Sequence, residues 1–246
     1  MKDLYFQWKK DEQAPFTGWD FSYLNGRWME EPTPWDYKAL ARQFVRKSQA
    51  VLDMGTGGGE NLSSFAPFPK HSVAIEGWTA NVGLARARLE PLGVKVLEVG
   101  ESGELPFINE EFDLVLNRHS AFRVTEVFRI LKTGGIFLTQ QVGGDNLNDL
   151  IREFDAVPQY ADWTLSVARK QSQDAGFSLE EAKEWIGKVE FKDVGAIVYF
   201  LKAIPWVVAN FSVDHNLDHL ERLQYRIDSG EKLEFTAARF LIQATK

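Results

Sequence analysis

Short apolar runs recur through the middle of the chain, at 49–53, 72–76, 94–99, 112–117 and 136–142. Runs of this length, bounded by turn residues, read as buried strands. Between them the apolar positions fall three and four apart, which marks one face of a helix. Helices are expected over about 60–66, 79–90 and 122–131, with Gly93 stopping the second and Gly143-Gly144 closing the last strand. Regular alternation of strand and helix implies an α/β fold, a parallel sheet with helices on both faces. Its crossovers are right-handed, and ligands bind at the carboxyl ends of its strands. That edge carries Asp53, Glu76, Glu101, Asn117, Gln140 and Gln141.

The flanks are less regular. Residues 1–32 are dense in aromatics without a period. Disordered segments are poor in aromatics, so this stretch is expected to pack onto the domain. Thr33 reads as an N-cap, with Pro34 in the first turn and Asp36 as a capping-box-like acid. The helix it starts carries Tyr37, Leu40, Ala41, Phe44 and Val45 on one face and ends near Lys47. Beyond the core, helices are expected over 147–154, 163–175, 193–203 and 217–227, and a final strand over 233–244. The stretch after Ser178 supports two predictions. Ser178-x-x-Glu181 has the form of a capping box, whereas Trp185, Val189 and Phe191 sit at strand spacing. No repeat, low-complexity tract or linker divides the 246 residues, so one domain is expected over 1–246.

Composition narrows the function. A net charge of −7 opposes nucleic-acid binding, because phosphate neutralisation needs a basic surface. The chain has no cysteine, which excludes a disulfide framework, a thiolate zinc site and a cysteine nucleophile. No acid and histidine cluster has ligand spacing, so no metal is expected. The first residues lack a signal-peptide apolar region. The longest apolar stretch, 194–208, contains Lys202 and Pro205 and is too short to span a bilayer. A cytoplasmic protein without membrane contact is expected.

The chemistry concentrates in Val51-Leu-Asp53-Met-Gly55-Thr56-Gly57-Gly-Gly59-Glu60. A strand feeding a glycine turn and a helix lets main-chain N–H groups approach a ligand with no Cβ in the way. The dinucleotide fingerprint G-x-G-x-x-G would need a glycine at position 60, where Glu60 stands. No Gly-Lys-Ser/Thr follows, which excludes a P-loop.

The pattern Asp53-x-Gly55-x-Gly57-x-Gly59 resembles motif I of the class I S-adenosylmethionine (AdoMet) methyltransferases. Three further stretches are similar to that family in order and spacing: Ser72–Glu76, Leu105-Pro106-Phe107 ahead of Phe112–Asn117, and the Gly134-Gly135 turn before Ile136–Thr139. Thr133 stands where the family usually has proline. Together they cover about 49–142. The resemblance implies a Rossmann-like, seven-stranded, mostly parallel sheet, with its last strand antiparallel and inserted between the two before it. It selects the strand at 179–190. It also divides the chain into an N-terminal helical cover at 1–48, an AdoMet-binding core at 49–145 and a C-terminal lid insertion at 192–230. AdoMet is the implied cofactor and S-adenosylhomocysteine its product. The implied contacts are the turn residues Asp53, Gly55, Thr56, Gly57 and Gly59, then Glu76 on the ribose with Gly77 beside it. Glu101 and Ser102 fall at the adenine, where the family has Asp and a small residue. Asn117 falls near the methyl group.

Catalytic candidates are Asn117, Arg118 and His119, just past the fourth strand of the core. His119 titrates in the useful range for a base, and Arg118 can clamp an acidic acceptor through two hydrogen bonds. Methyl transfer from a sulfonium needs orientation first, so a base is not obligatory. Trp35 and Trp206 are the leading aromatic residues to line an acceptor pocket. The acceptor is expected to be a small molecule. An RNA or protein acceptor, or binding of AdoMet without turnover, are the alternatives. Neither the acceptor nor the oligomeric state is legible.

Overall fold

The structure, a computed structural model, describes residues 2–100 and 103–246. The core alternates as expected: β2 (Ala50–Met54), α3 (Glu60–Ser63), β3 (His71–Glu76), α4 (Thr79–Leu89), β4 (Lys95–Glu98), β5 (Phe112–Arg118), α5 (Val124–Ile130) and β6 (Leu131–Val142). Before it come α1 (Lys2–Gln13), β1 (Trp28–Glu30) and α2 (Tyr37–Val45). After it come α6 (Asn148–Glu153), α7 (Leu165–Asp174), β7 (Ser178–Phe191), α8 (Val194–Ala203), α9 (Leu217–Asp228) and β8 (Leu233–Thr245). The sheet order is β1-β7-β8-β6-β5-β2-β3-β4. β2 to β6 run parallel, and β8 runs antiparallel between β6 and β7. This is the Rossmann-like arrangement expected.

Two expectations are corrected. The sheet has eight strands among the described residues, not seven. The extra strand β1 lies within the aromatic N-terminal stretch and pairs antiparallel with β7, Trp28 opposite Phe191. Three residues are too few to show a period; the strand exists because the edge of β7 offers unpaired backbone groups. The helix after Thr33 also begins later. Asp36 is its N-cap and accepts from the Ala39 N–H at 3.0 Å, while the Thr33 hydroxyl donates to the Trp35 carbonyl at 2.7 Å. The segment after Ser178 is strand, as its apolar spacing indicated.

Both sheet faces are buried. Trp35, Tyr37, Ala41, Val45, Ala85 and Leu89 cover one, and Val127, Ile130, Ala168 and Phe177 the other. A third cluster joins the N-terminal stretch to the 192–230 insertion: Trp8 and Leu24 pack with Phe191, Tyr199, Phe200 and Leu223. α8 is buried along nearly all its length, as its all-round apolar sequence requires. Asp193 caps α8, accepting from the Ala196 N–H at 2.8 Å, and also pairs with Arg27. Arg27 reaches Asp11 of α1 at 2.8 Å, so one guanidinium ties α1 to α8. The insertion therefore packs chiefly beside the sheet edge. It reaches the glycine turn through Trp206, whose ring lies 5.9 Å from that of Trp19. No helix among the described residues is long and apolar enough to cross a membrane.

Candidate functional site

β2 delivers the chain into a turn at the carboxyl edge of the sheet. Gly55 and Gly57 there have φ of +67° and +63°, a region in which a Cβ is strained. The Gly57 N–H donates to Glu76 Oε2 at 2.6 Å, and Glu76 Oε1 accepts from the Trp78 N–H at 2.8 Å. Glu76 is buried at the end of β3 and pins the two neighbouring turns together. Thr56 is buried beside it, and Gly77 follows directly.

The bare turn also serves the protein itself. A Cβ on Gly57 would lie 2.5 Å from Trp19 Cδ1, and one on Gly55 would strike the Ser120 side chain. Trp19 thus rests on the turn from the N-terminal stretch, with Trp206 against its edge. No local pattern marks Trp19 in the sequence, because its stretch has no period. Glu101 and Ser102 lie outside the described residues.

Asp53 sits at the base of the turn. Burial, together with the neighbouring Glu76 carboxylate, raises its pKa from the ordinary 3.8 to about 7, against opposing pulls from the Thr56 hydroxyl and then Arg118. The folded state therefore holds a proton on Asp53 that the unfolded chain releases at lower pH. Stability from this group is present below about pH 4 and falls as pH rises towards about 7. Asp53→Asn is accordingly expected to gain melting temperature relative to the parent chain between pH 5 and 8 (roughly the window of the shift). Parallel melting curves in the ligand-free state would show this, and a constant offset across pH would refute it.

The candidates after β5 diverge. Asn117 is fully buried on one face; its Oδ1 accepts from Thr139 Oγ1 at 3.1 Å and from Gln141 Nε2. Its Nδ2 has no partner among the described residues. Its carbonyl accepts from the Tyr37 hydroxyl at 3.2 Å. Arg118 falls on the opposite face, opposite Gln140 in the register. It makes no side-chain hydrogen bond or ion pair among the described residues.

His119 leaves the strand with φ +58°, in the left-handed region, and its N–H donates to the Gln140 carbonyl at 2.8 Å. Its ring is held by a relay. Trp35 Nε1, which can only donate, gives its proton to Gln140 Oε1 at 2.8 Å. That orients the Gln140 amide so that its Nε2 donates to His119 Nε2 at 3.0 Å. His119 must therefore be neutral, with its proton on Nδ1. The electrostatics agree: surrounding protein, then Arg118 and Arg239, hold the imidazole well below its ordinary pKa. The residue as a whole is solvent-exposed. Arg239, buried on β8, pairs with Glu30 of β1 at 2.7 Å.

The structure thus brings Asp53, the glycine turn and Glu76 together, and sets Arg118 and His119 beside them with Trp35, Gln140 and Arg239. Of those last three, Trp35 was expected at an acceptor pocket and Gln140 falls at the carboxyl edge, while Arg239 carries no local signal as a site residue. No group of acids and histidines able to hold a metal occurs among the described residues. A cleft of about 340 Å³ lined by His71, Lys95 and Glu111 opens at the amino ends of the strands, away from all these groups.

Residues 52–139 match a family described as "Methyltransferase domain". The chain is 29% identical over 102 residues to the uncharacterized methyltransferase YcgJ of Bacillus subtilis (strain 168), covering 38% of this chain and 40% of that protein. It is 30% identical over 111 residues to the fatty-acid O-methyltransferase of Mycolicibacterium smegmatis, covering 42% of this chain and 40% of that protein. The matched region thus spans about two-fifths of these relatives' length. The crystal structure of YcgJ superposes with a TM-score of 0.60 at 19% identity, over 85% of this chain and 97% of YcgJ. At that identity the superposition speaks for the fold.

Proposed function

We propose that the protein, whose residues 52–139 match a methyltransferase domain family, is a class I S-adenosylmethionine-dependent methyltransferase that transfers a methyl group from AdoMet to a small-molecule acceptor in the cytoplasm. The observation that carries this is the turn at Gly55 and Gly57, left-handed at both glycines and tied to the Glu76 carboxylate at the carboxyl edge of the sheet. These residues fit the cofactor. Glu76 suits its ribose hydroxyls, and an ionised Asp53 suits its cationic end. Bound AdoMet supplies a methyl group that carries its own leaving group.

The chain's own residues then orient and enclose. Asn117 offers an unused amide N–H at the end of β5. His119, with Nε2 engaged by Gln140, presents Nδ1–H as a donor. To act as a base it would first have to release Gln140. Trp19, Trp35 and Trp206 supply the apolar cover that a small acceptor requires. The Mycolicibacterium relative is named for a fatty-acid acceptor, which is also a small molecule with a large apolar part. The acidic net charge weighs against RNA.

Calorimetry on the purified chain is the direct test. One site for AdoMet or S-adenosylhomocysteine and none for NAD is expected. Tight NAD binding without AdoMet binding would overturn the proposal.

A further inference from the structure

Arg118 is a charge without a hydrogen-bond or ion-pair partner among the described residues. It ends β5 on the sheet face shared with Gln140, Trp35 and Tyr37. Protein encloses much of its guanidinium, and burial lowers its pKa from the ordinary value; a guanidinium is not deprotonated in proteins. The acids that act on it, Glu30 and Asp53, do so from beyond ion-pair distance. Each is otherwise engaged. Glu30 is paired with Arg239 at 2.7 Å, and Asp53 is half-neutral near pH 7. Elsewhere the chain pairs its enclosed guanidiniums: Arg27 has Asp11 and Asp193, Arg129 has Glu126, and Arg239 has Glu30.

An enclosed, unpaired guanidinium is costly, and the cost is recovered when an anion arrives. Besides Glu30 and Asp53, the polar groups around Arg118 include further donors and a cation. Arg239 lies near enough to act on it electrostatically, and the next residue, His119, keeps Nδ1–H as a donor while its Nε2 is engaged by Gln140. The Tyr37 hydroxyl adds a fourth polar group, although it is committed to the Asn117 carbonyl. The walls are aromatic. Such a constellation suits a planar, singly charged anion attached to an apolar body.

We infer that the acceptor is an apolar carboxylic acid and that Arg118 receives its carboxylate. This rests on the methyltransferase assignment above. It goes further by naming the acceptor's charged group and the residue that selects it. Guanidinium and carboxylate meet through two parallel hydrogen bonds, so Arg118 acts as a specificity residue that also orients the acceptor. The cofactor carries a carboxylate of its own, and the experiment must separate the two sources.

The test uses the full chain saturated with S-adenosylhomocysteine, titrated with octanoate, benzoate and their neutral amides. Acids are expected to bind ~10–100-fold more tightly than the matching amides, the scale of one charge-assisted bond. Arg118→Met should abolish that preference while leaving S-adenosylhomocysteine affinity unchanged, and Arg118→Lys should restore part of it. Arg118→Met should also raise the melting temperature of the free protein, because it removes an uncompensated charge; a purely structural arginine would lower it. Loss of S-adenosylhomocysteine affinity in Arg118→Met would reassign the residue to the cofactor's carboxylate and overturn the inference. So would equal binding, or no binding, of acids and amides by the parent chain. Failure of the parent chain to bind S-adenosylhomocysteine at all would instead strike the methyltransferase assignment.

Discussion

Arg27→Met is expected to destabilise the protein by about 3–5 kcal/mol, the usual scale for breaking a buried ion pair from one side. Arg27 bridges Asp11 and Asp193. The two carboxylates are not equivalent: the Asp11 side chain is 5% exposed, that of Asp193 39%. After the substitution water can solvate Asp193 but not Asp11, whose remaining partner is the Tyr23 hydroxyl at 2.7 Å. The effect should therefore pass mainly through Asp11. Adding Asp11→Leu should recover much of the loss, since an apolar pair is often as stable as a buried ionic one. Urea unfolding of the two variants and the parent measures this. A loss under about 1 kcal/mol for the single variant would show an exposed pair of ordinary weakness. The consequence reaches the site. α1 and α8 hold the N-terminal stretch against the insertion, and that stretch carries Trp19 on the glycine turn.

Glu76→Ala is expected to weaken S-adenosylhomocysteine by about 1–3 kcal/mol and to cost a similar amount of stability. The carboxylate has two duties in the free protein, accepting from Gly57 and from Trp78. It also faces the position where ribose hydroxyls are expected. Glu76→Gln keeps one acceptor oxygen and should fall between the parent chain and the alanine variant in both measurements. An unchanged dissociation constant in Glu76→Ala would remove it from the cofactor site and leave it as a brace for the turn.

The β-α core was legible because its signals are local. A buried strand is a short apolar run, an amphipathic helix repeats within four residues, and a glycine turn is written in consecutive positions. Asp53, Gly55, Gly57, Glu76 and Asn117 were placed at the carboxyl edge on those grounds alone, and the structure brings them there. The ambiguous stretch after Ser178 was different. Its capping-box form competed with strand spacing, and pairing along the full length of β8 decides for the strand.

The tertiary structure decided the rest, and the reason is separation along the chain. Trp35 and Gln140 lie 105 residues apart, yet their bond fixes the tautomer of His119. Arg239 and Glu30 are 209 apart, and their pairing engages a carboxylate that also acts on Arg118. β1 forms only because β7 offers it an edge. Trp19 finds Gly57 across a segment with no period to announce it. Local propensity thus determined the sheet and the cofactor turn. Which side chains stand free to meet a ligand depends on which distant partners have already engaged their neighbours, and no window of sequence contains that information.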